Sequence, residues 1–135
     1  MTNPSVLFVC VKNGGKSQMA AALARHMVQD PSRIHSAGTR PGSAINHLSR
    51  QVIEEVGASM AGEHTKAIDP DLLRTVDHVI VLGSEAVVAP VEGMKAQISI
   101  WHTDEPSERG IEGLERMRLV RDDIRARVRQ LLQGD

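Results

Sequence analysis

The chain has 135 residues, a formal net charge of −1 at pH 7 and 41% hydrophobic residues. That length fits one globular domain, which we expect to span residues 1–135, and the balanced charge gives no bulk field for attracting nucleic acid or an acidic membrane. Phe8 and Trp101 are the only aromatic residues, so the several exposed rings that base stacking needs are missing. We therefore expect neither a nucleic acid nor a membrane as a partner.

Cys10 is the only cysteine, so no disulfide can form within one chain. This usage is typical of proteins in reducing compartments. The first residues, Met1–Pro4, contain no charged leader and no cleavage site, and no apolar run is long enough to span a bilayer. These features predict a cytoplasmic location.

Strands and helices are predicted to alternate along the chain. Residues 5–10 form a continuous apolar run, typical of a central strand that is buried on both faces. A polar turn covers 12–16, and apolar residues spaced four apart predict a helix at 17–29 with Ser17 as its N-cap. The later predicted elements are a strand at 33–37, a helix at 44–56 ended by Gly57, a short helix at 69–75, strands at 78–82 and 97–101, and a helix from Leu114 to near the end.

This alternation predicts an α/β fold in which helices cover both faces of a parallel sheet. Right-handed crossovers leave few topologies, of which a single-domain, flavodoxin-like, three-layer fold with a small sheet of about four strands fits best. In such sheets ligands bind at the carboxyl ends of the strands, and Cys10 ends the first predicted strand. We therefore expect the functional site around Cys10.

The segment after Cys10 has the composition of an anion-binding loop. Gly14 and Gly15 permit backbone conformations that let successive amides point inward, and the helix that follows adds its free N–H groups. Lys16 adds a positive charge at the rim, and Asn13 is expected to shape the turn. Such a cradle suits a tetrahedral oxyanion of the phosphate type. The predicted oxyanion-binding residues are Val11, Lys12, Asn13, Gly14, Gly15, Lys16 and Ser17.

Cys10 lies at the mouth of this predicted cradle. Helix N-termini and nearby cations lower the pKa of a cysteine thiol from about 8.5 to about 3.5–7.5, which favours the nucleophilic thiolate. Ser17 is expected to add a hydrogen bond to the sulfur, and the thiolate to attack the central atom of the oxyanion. Two alternatives stay open: a small buried side chain at this position, or a module that binds anions without catalysis.

The order Cys10, five residues, Lys16, Ser17 resembles the signature of the low-molecular-weight protein tyrosine phosphatases and their arsenate reductase relatives. The similarity covers nearly the whole chain and extends through Ser17–Ala20, His35–Thr39, Asp77–Leu82 and Glu105–Pro106. The residues Ser17–Ala20 are more similar to the arsenate reductase branch. The resemblance implies arsenate as the substrate, Cys10 as the nucleophile, and Lys16 and Ser17 as catalytic residues.

Two departures from the family refine this expectation. Lys16 stands where the family usually has arginine, and a point charge in place of a flat fork disfavours efficient phosphate-ester hydrolysis. The thioredoxin-linked relatives use two further cysteines, which this chain lacks. Lysine-bearing variants are similar to actinobacterial arsenate reductases that use mycothiol. The resemblance therefore implies an arsenate-mycothiol transferase without a bound cofactor, whose low-molecular-weight thiol and glutaredoxin-like partner (a mycoredoxin) complete the reduction; the alternative is a phosphatase acting on phosphate monoesters.

A general acid is expected on the loop before Pro106, because water is a poor leaving group unless it is protonated. The family places an aspartate directly before this proline, and here that position is Glu105, with Asp104 beside it. Both carboxylates remain candidates. The chain contains no tyrosine, whereas phosphatases of the family hold a phenyl ring between aromatic walls near this loop. This absence also disfavours a tyrosine phosphatase.

Weaker candidates lie nearby. The six histidines show no paired ligand spacing, so no metal site is expected. His102 neighbours the acid loop, and Arg109 is a candidate for meeting an anionic co-substrate. Residues 64–66 are expected near the same edge, but the sequence gives no further support for a role in thiol binding.

Overall fold

The computed structural model describes residues 3–133, which contain a four-stranded parallel sheet. The strands are β1 (Val6–Cys10), β2 (Ile34–Gly38), β3 (His78–Leu82) and β4 (Ile98–Trp101), in the spatial order β2-β1-β3-β4. The helices are α1 (Lys16–Met27), α2 (His47–Glu55), α3 (Pro70–Thr75) and α4 (Gly113–Gln133), with short 3-10 turns at Pro31–Arg33 and Pro106–Arg109. Within the described range, no helix has the length and apolar character needed to cross a membrane.

Both faces of the sheet are covered, as the uninterrupted apolar strands predict. On one face α1, α2 and α4 pack over the sheet, and their shared core includes Phe8, Leu23, Ile53 and Ile124. On the other face Leu7 packs with α3 and with the irregular chain between β3 and β4. This arrangement confirms the predicted three-layer α/β fold.

The start of α1 differs from the prediction. The N-cap position belongs to Gly15, so the prediction that Ser17 caps this helix is wrong. The Ser17 side chain is fully buried, and its hydroxyl contacts the side chains of Cys10 and Asn13 instead of a free amide of the first turn. A tertiary contact has therefore replaced the local hydrogen bond that a serine near a helix start usually makes.

The carboxyl ends of β1 and β2 approach each other closely at the edge where the site was expected. Gly38 pairs with Cys10 in the parallel ladder. A Cβ atom at Gly38 would lie 2.7 Å from the carbonyl oxygen of Val11, closer than such atoms normally come. Glycine at this position therefore lets the chain after β2 run alongside the loop after β1.

Candidate active site

The loop that connects β1 to α1 is held from outside by residues 39–46. The amide of Gly42 donates to the carbonyl of Lys12 over 2.9 Å, and the amide of Asn46 donates to the carbonyl of Gly14 over 2.7 Å. A Cβ atom at Gly14 would lie 2.8 Å from the carbonyl oxygen of Ala44. These contacts satisfy the outward-facing carbonyls of the loop and fix its curvature.

The left-handed residue of this loop is Asn13, with a φ of 56°. Asparagine tolerates this region better than most residues, because its short side chain can form local hydrogen bonds. Neither Gly14 nor Gly15 adopts a positive φ. The predicted reason for these glycines is wrong, since close approach to Ala44, and not backbone freedom, requires glycine at position 14.

Two hydrogen-bonding groups face the sulfur of Cys10, which is partly exposed at the mouth of the loop. The hydroxyl oxygen of Ser17 lies 2.9 Å from Sγ, and the backbone amide of Asn13 donates to Sγ over 3.2 Å. Cys10 is therefore not a small side chain buried in the apolar core. The structure brings together the sulfur and the serine that the sequence analysis had paired.

The side chain of Asn13 determines which way the Ser17 hydroxyl donates. Its Oδ1 accepts from the Gln18 side-chain amide at 3.2 Å and from the Lys66 backbone amide at 3.1 Å, so Nδ2 must face Ser17, 2.7 Å from the hydroxyl oxygen. An amide nitrogen only donates, so the Ser17 oxygen accepts this bond. The serine hydrogen is then free to point at the Cys10 sulfur, which can accept it.

Lys66 supports this chain of hydrogen bonds from behind the loop. Its ammonium lies 3.0 Å from the hydroxyl of Ser36, 3.1 Å from the carbonyl of His64 and 3.4 Å from Oδ1 of Asn13. Burial lowers the pKa of Lys66, a shift that Glu63 opposes. Residues 64–66 were expected near this edge without an assigned role. No local pattern signals a contact between residues 53 positions apart.

The remaining predicted cradle residues line the rim and the start of α1. The carbonyl of Val11 accepts from the amide of Arg40 over 2.8 Å, while the side chain of Lys12 is exposed. The amides of Lys16 and Ser17 belong to the first turn of α1, whose N–H groups have no acceptor inside the helix. These amides and the positive end of the helix dipole favour an anion at this position.

The loop before Pro106 brings Glu105 to the cradle. The ammonium of Lys16 lies 2.6 Å from Oε1 of Glu105, and both side chains are partly exposed. The same loop is anchored on α4, because the amide of Asp104 donates to Asp123 and Arg127 donates to the carbonyl of His102. The anchored loop therefore places one carboxylate directly beside the predicted anion site.

Asp104 is engaged elsewhere. Its carboxylate accepts two hydrogen bonds from Arg109, at 2.8 Å and 3.1 Å. These bonds lower the pKa of Asp104, so it is ionised at neutral pH and a poor proton donor. Arg109 itself is occupied by this pair rather than open to a co-substrate. Among residues 3–133, no group of three or more histidine, cysteine or carboxylate side chains is arranged to hold a metal ion.

Comparison with known proteins agrees with this geometry. Residues 5–134 match the family described as low molecular weight phosphotyrosine protein phosphatase. A putative arsenate reductase of Halobacterium salinarum is 30% identical over 126 residues, which cover 90% of this chain and 85% of that protein. The structure of a thioredoxin-dependent arsenate reductase of Corynebacterium glutamicum superposes with a TM-score of 0.76 at 30% identity over 98% of this chain, although this chain spans only 61% of that one. An arsenate reductase of Archaeoglobus fulgidus gives a TM-score of 0.76 at 28% identity, with 96% and 99% of the two chains covered.

Proposed function

The chain belongs to the low molecular weight phosphotyrosine protein phosphatase family, and from that premise we propose that it is an arsenate reductase with Cys10 as its nucleophile. The observation that carries the proposal is the environment of the Cys10 sulfur. It accepts a hydrogen bond from the Asn13 amide and faces the Ser17 hydroxyl at the mouth of an anion-binding loop. The arsenate reductases among its relatives support the choice of arsenate as the oxyanion.

The first step forms a bond between sulfur and arsenic. The amides at the start of α1 and the charge of Lys16 hold the arsenate oxygens, and the Cys10 thiolate donates its electron pair to As(V). One arsenate oxygen leaves as water once it is protonated. The oxidation state of arsenic does not change in this step, so it remains As(V) in the Cys10–arsenate adduct.

Reduction requires thiols from outside the chain. A low-molecular-weight thiol attacks the arsenic, and the Cys10 thiolate leaves with the electron pair of the broken bond. A second thiol then attacks the sulfur of the thiol–arsenate adduct, forming a disulfide and leaving two electrons on arsenic as arsenite. We assign mycothiol as the first thiol and a glutaredoxin-like protein as the source of the second. The lone cysteine supports this assignment, since Cys10 cannot supply both electrons. It also supports a reducing, cytoplasmic location.

We assign Glu105 as the general acid of the first step. Its carboxyl group lies beside the cradle at Lys16, whereas both carboxylate oxygens of Asp104 accept from Arg109. In the proposed step Glu105 passes a proton to the departing oxygen.

The family match keeps a phosphatase as the second candidate. The same cradle and nucleophile suit a phosphate monoester. Lys16 in place of arginine disfavours it, because lysine cannot grip two equatorial oxygens at once. A third possibility is an anion-binding module in which Cys10 does not react.

Arsenite measured from purified protein, arsenate, mycothiol and a glutaredoxin-like protein tests these three. We expect arsenite only when the thiol is present, and none from the Cys10→Ser variant. Phosphate released from an aryl phosphate without added thiol, in place of arsenite, would assign the chain to the phosphatases. Binding of arsenate by the unaltered chain and by the Cys10→Ser variant, with no turnover by either, would show an anion-binding module.

A further inference from the structure

A groove runs from the oxyanion loop to α4. It has a volume of about 470 Å³, within the usual range of roughly 300–1,000 Å³ for small-molecule sites. We propose that this groove holds the oxygen-rich part of the co-substrate thiol, an inference that rests on the proposed arsenate reductase function. Its lining comes from the loop (Lys12, Gly14, Gly15, Lys16), the segment before α2 (Gly42, Ser43, Ala44, Asn46), α2 itself (Ser49) and α4 (Arg116, Met117, Val120).

The size of the groove argues for a second substrate. Arsenate is a single tetrahedral ion, and Cys10 is not among the residues that line the groove, so arsenate bonded to the sulfur would meet this space only at the rim formed by Gly14 and Lys16. The groove continues from there to Met117 and Val120 on α4. A molecule of several hundred daltons fills such a volume. A low-molecular-weight thiol is the molecule of that size that the proposed reaction consumes.

The walls of the groove donate hydrogen bonds. Its charged lining residues are Lys12, Lys16 and Arg116, which are donors only. Among residues 3–133, the carboxylates that lie near these cations, Glu105 beside Lys16 and Glu112 near Arg116, do not line the groove. Arg116 is only loosely paired, 3.8 Å from Glu112, and its Nε is buried without a partner within residues 3–133. A buried donor that lacks an acceptor is unfavourable until a ligand or water supplies one. The fitting ligand therefore presents several acceptor oxygens, as hydroxyls or carboxylates.

The position of the groove suits transfer of arsenic to the thiol. Lys12, Gly14 and Lys16 form the rim of the oxyanion loop and one wall of the groove at the same time. A thiol anchored by its oxygens along α4 has its sulfur end at this shared rim. Its sulfur then forms the new bond to arsenic, the bond to Cys10 breaks with its electron pair on Cys10, and the thiol proton passes to solvent.

Two variants on α4 test the groove without touching the loop or the segment that holds it. Arg116→Gln replaces a charged donor of the wall with a neutral one, and Met117→Trp, at a partly exposed position, fills the space. We expect Arg116→Gln to raise the KM for mycothiol or glutathione about tenfold, the effect of losing one charged hydrogen bond, and Met117→Trp to raise it by excluding the thiol. The KM for arsenate and the rate with 2-mercaptoethanol, which is too small to reach α4, should not change. The matched control is Arg129→Gln, because Arg129 lies on the same helix near Asn3 and Met27.

The choice of thiol distinguishes the two kinds of oxygen. A larger loss with mycothiol assigns the groove to uncharged sugar hydroxyls, and a larger, salt-sensitive loss with glutathione assigns it to carboxylates. An unchanged KM for both thiols in both variants overturns the inference while leaving the arsenate reductase function standing. A parallel rise in the KM for arsenate also overturns it, because the groove would then serve the oxyanion. No arsenite with any of the three thiols would remove the proposed function and this inference together.

Discussion

Replacing Asn13 tests the physical account of the sulfur environment. The side chain of Asn13 is fully buried, and its amide bridges Ser17 on one side to Gln18 and Lys66 on the other. Asn13→Ala removes that bridge and places an alanine at a φ of 56°. Asn13→Gly removes the same bridge but accepts this backbone conformation without strain.

The structure sets the size of each effect. In both variants the partly buried amide of Lys66 loses its acceptor, and an unsatisfied buried group costs about 1–3 kcal/mol. The alanine variant adds the left-handed penalty of roughly 1–2 kcal/mol for a residue with a Cβ. We therefore expect Asn13→Ala to lower the free energy of unfolding by about 2–5 kcal/mol, and Asn13→Gly to be about 1 kcal/mol more stable than the alanine variant.

Urea unfolding followed by the fluorescence of Trp101 measures these differences, because this tryptophan packs against Phe8 in the core with ring centres 6.0 Å apart. Alkylation of Cys10 by iodoacetamide at neutral pH should slow in both variants, since Ser17 loses the bond that directs its hydrogen to the sulfur. Asn46→Ala is the matched control: it removes the cap of α2 and should not slow alkylation. Equal stability of the alanine and glycine variants would refute the argument about backbone strain. Unchanged alkylation would refute the role of Asn13 in directing the hydroxyl.

Three further predictions follow from the charged groups. Glu105→Gln should lower the rate of arsenite formation by about 10²–10⁴-fold through loss of the general acid, whereas Asp104→Asn should change it less than about threefold. Burial lowers the pKa of Lys66 below 10.5, so the unfolded chain binds more protons between the two values and stability rises with pH there; Lys66→Met should abolish this rise in urea titrations at alkaline pH. Hydrogen bonds from Arg118 lower the pKa of Glu55 from 4.5 to about 2, so their stabilisation is present above pH 4.5 and is lost as the pH falls toward 2. Thermal melting of Glu55→Gln across this range should show a weaker acid dependence than that of the unaltered chain.

Local sequence patterns were sufficient for the strands and for the position of Cys10. The apolar run before Cys10 and the later alternation determine a parallel sheet, and its carboxyl edge contains the loop. The patterns were insufficient where a distant residue changes a local preference. Serine is a residue type that often caps helices, but the Ser17 hydroxyl contacts Cys10 and Asn13 instead. Nothing near Asn13 in the sequence indicates that Lys66 will join it.

The choice between Glu105 and Asp104 shows the same limit at the acid loop. Position before the proline favours Glu105, but chain reach alone left both open. The two carboxylates have different partners in the structure. Arg109 donates two hydrogen bonds to Asp104, while the Lys16 ammonium lies beside Glu105. Arg109, which holds Asp104, lies 5 positions away in sequence, whereas Lys16, which holds Glu105, lies 89 positions away. The role of each carboxylate therefore depends on packing that residue order does not reveal.

Under the proposed function, the residues that orient the nucleophile are largely distinct from those proposed to recognise the second substrate. The residues that orient the sulfur, Asn13, Ser17 and Lys66, lie in the loop and behind it, and none of them lines the groove. The far wall of the groove is α4. Neither Arg116 nor Met117 on that wall takes part in the hydrogen bonds around the sulfur. Because Arg116 and Met117 on α4 share no hydrogen-bond partner with Asn13 or Lys66, a substitution on the α4 wall should leave the energetics of the sulfur network nearly unchanged. In the proposed mechanism Cys10 depends on outside thiols, and a separate α4 wall would allow the preferred thiol to change while the reactivity of Cys10 is preserved.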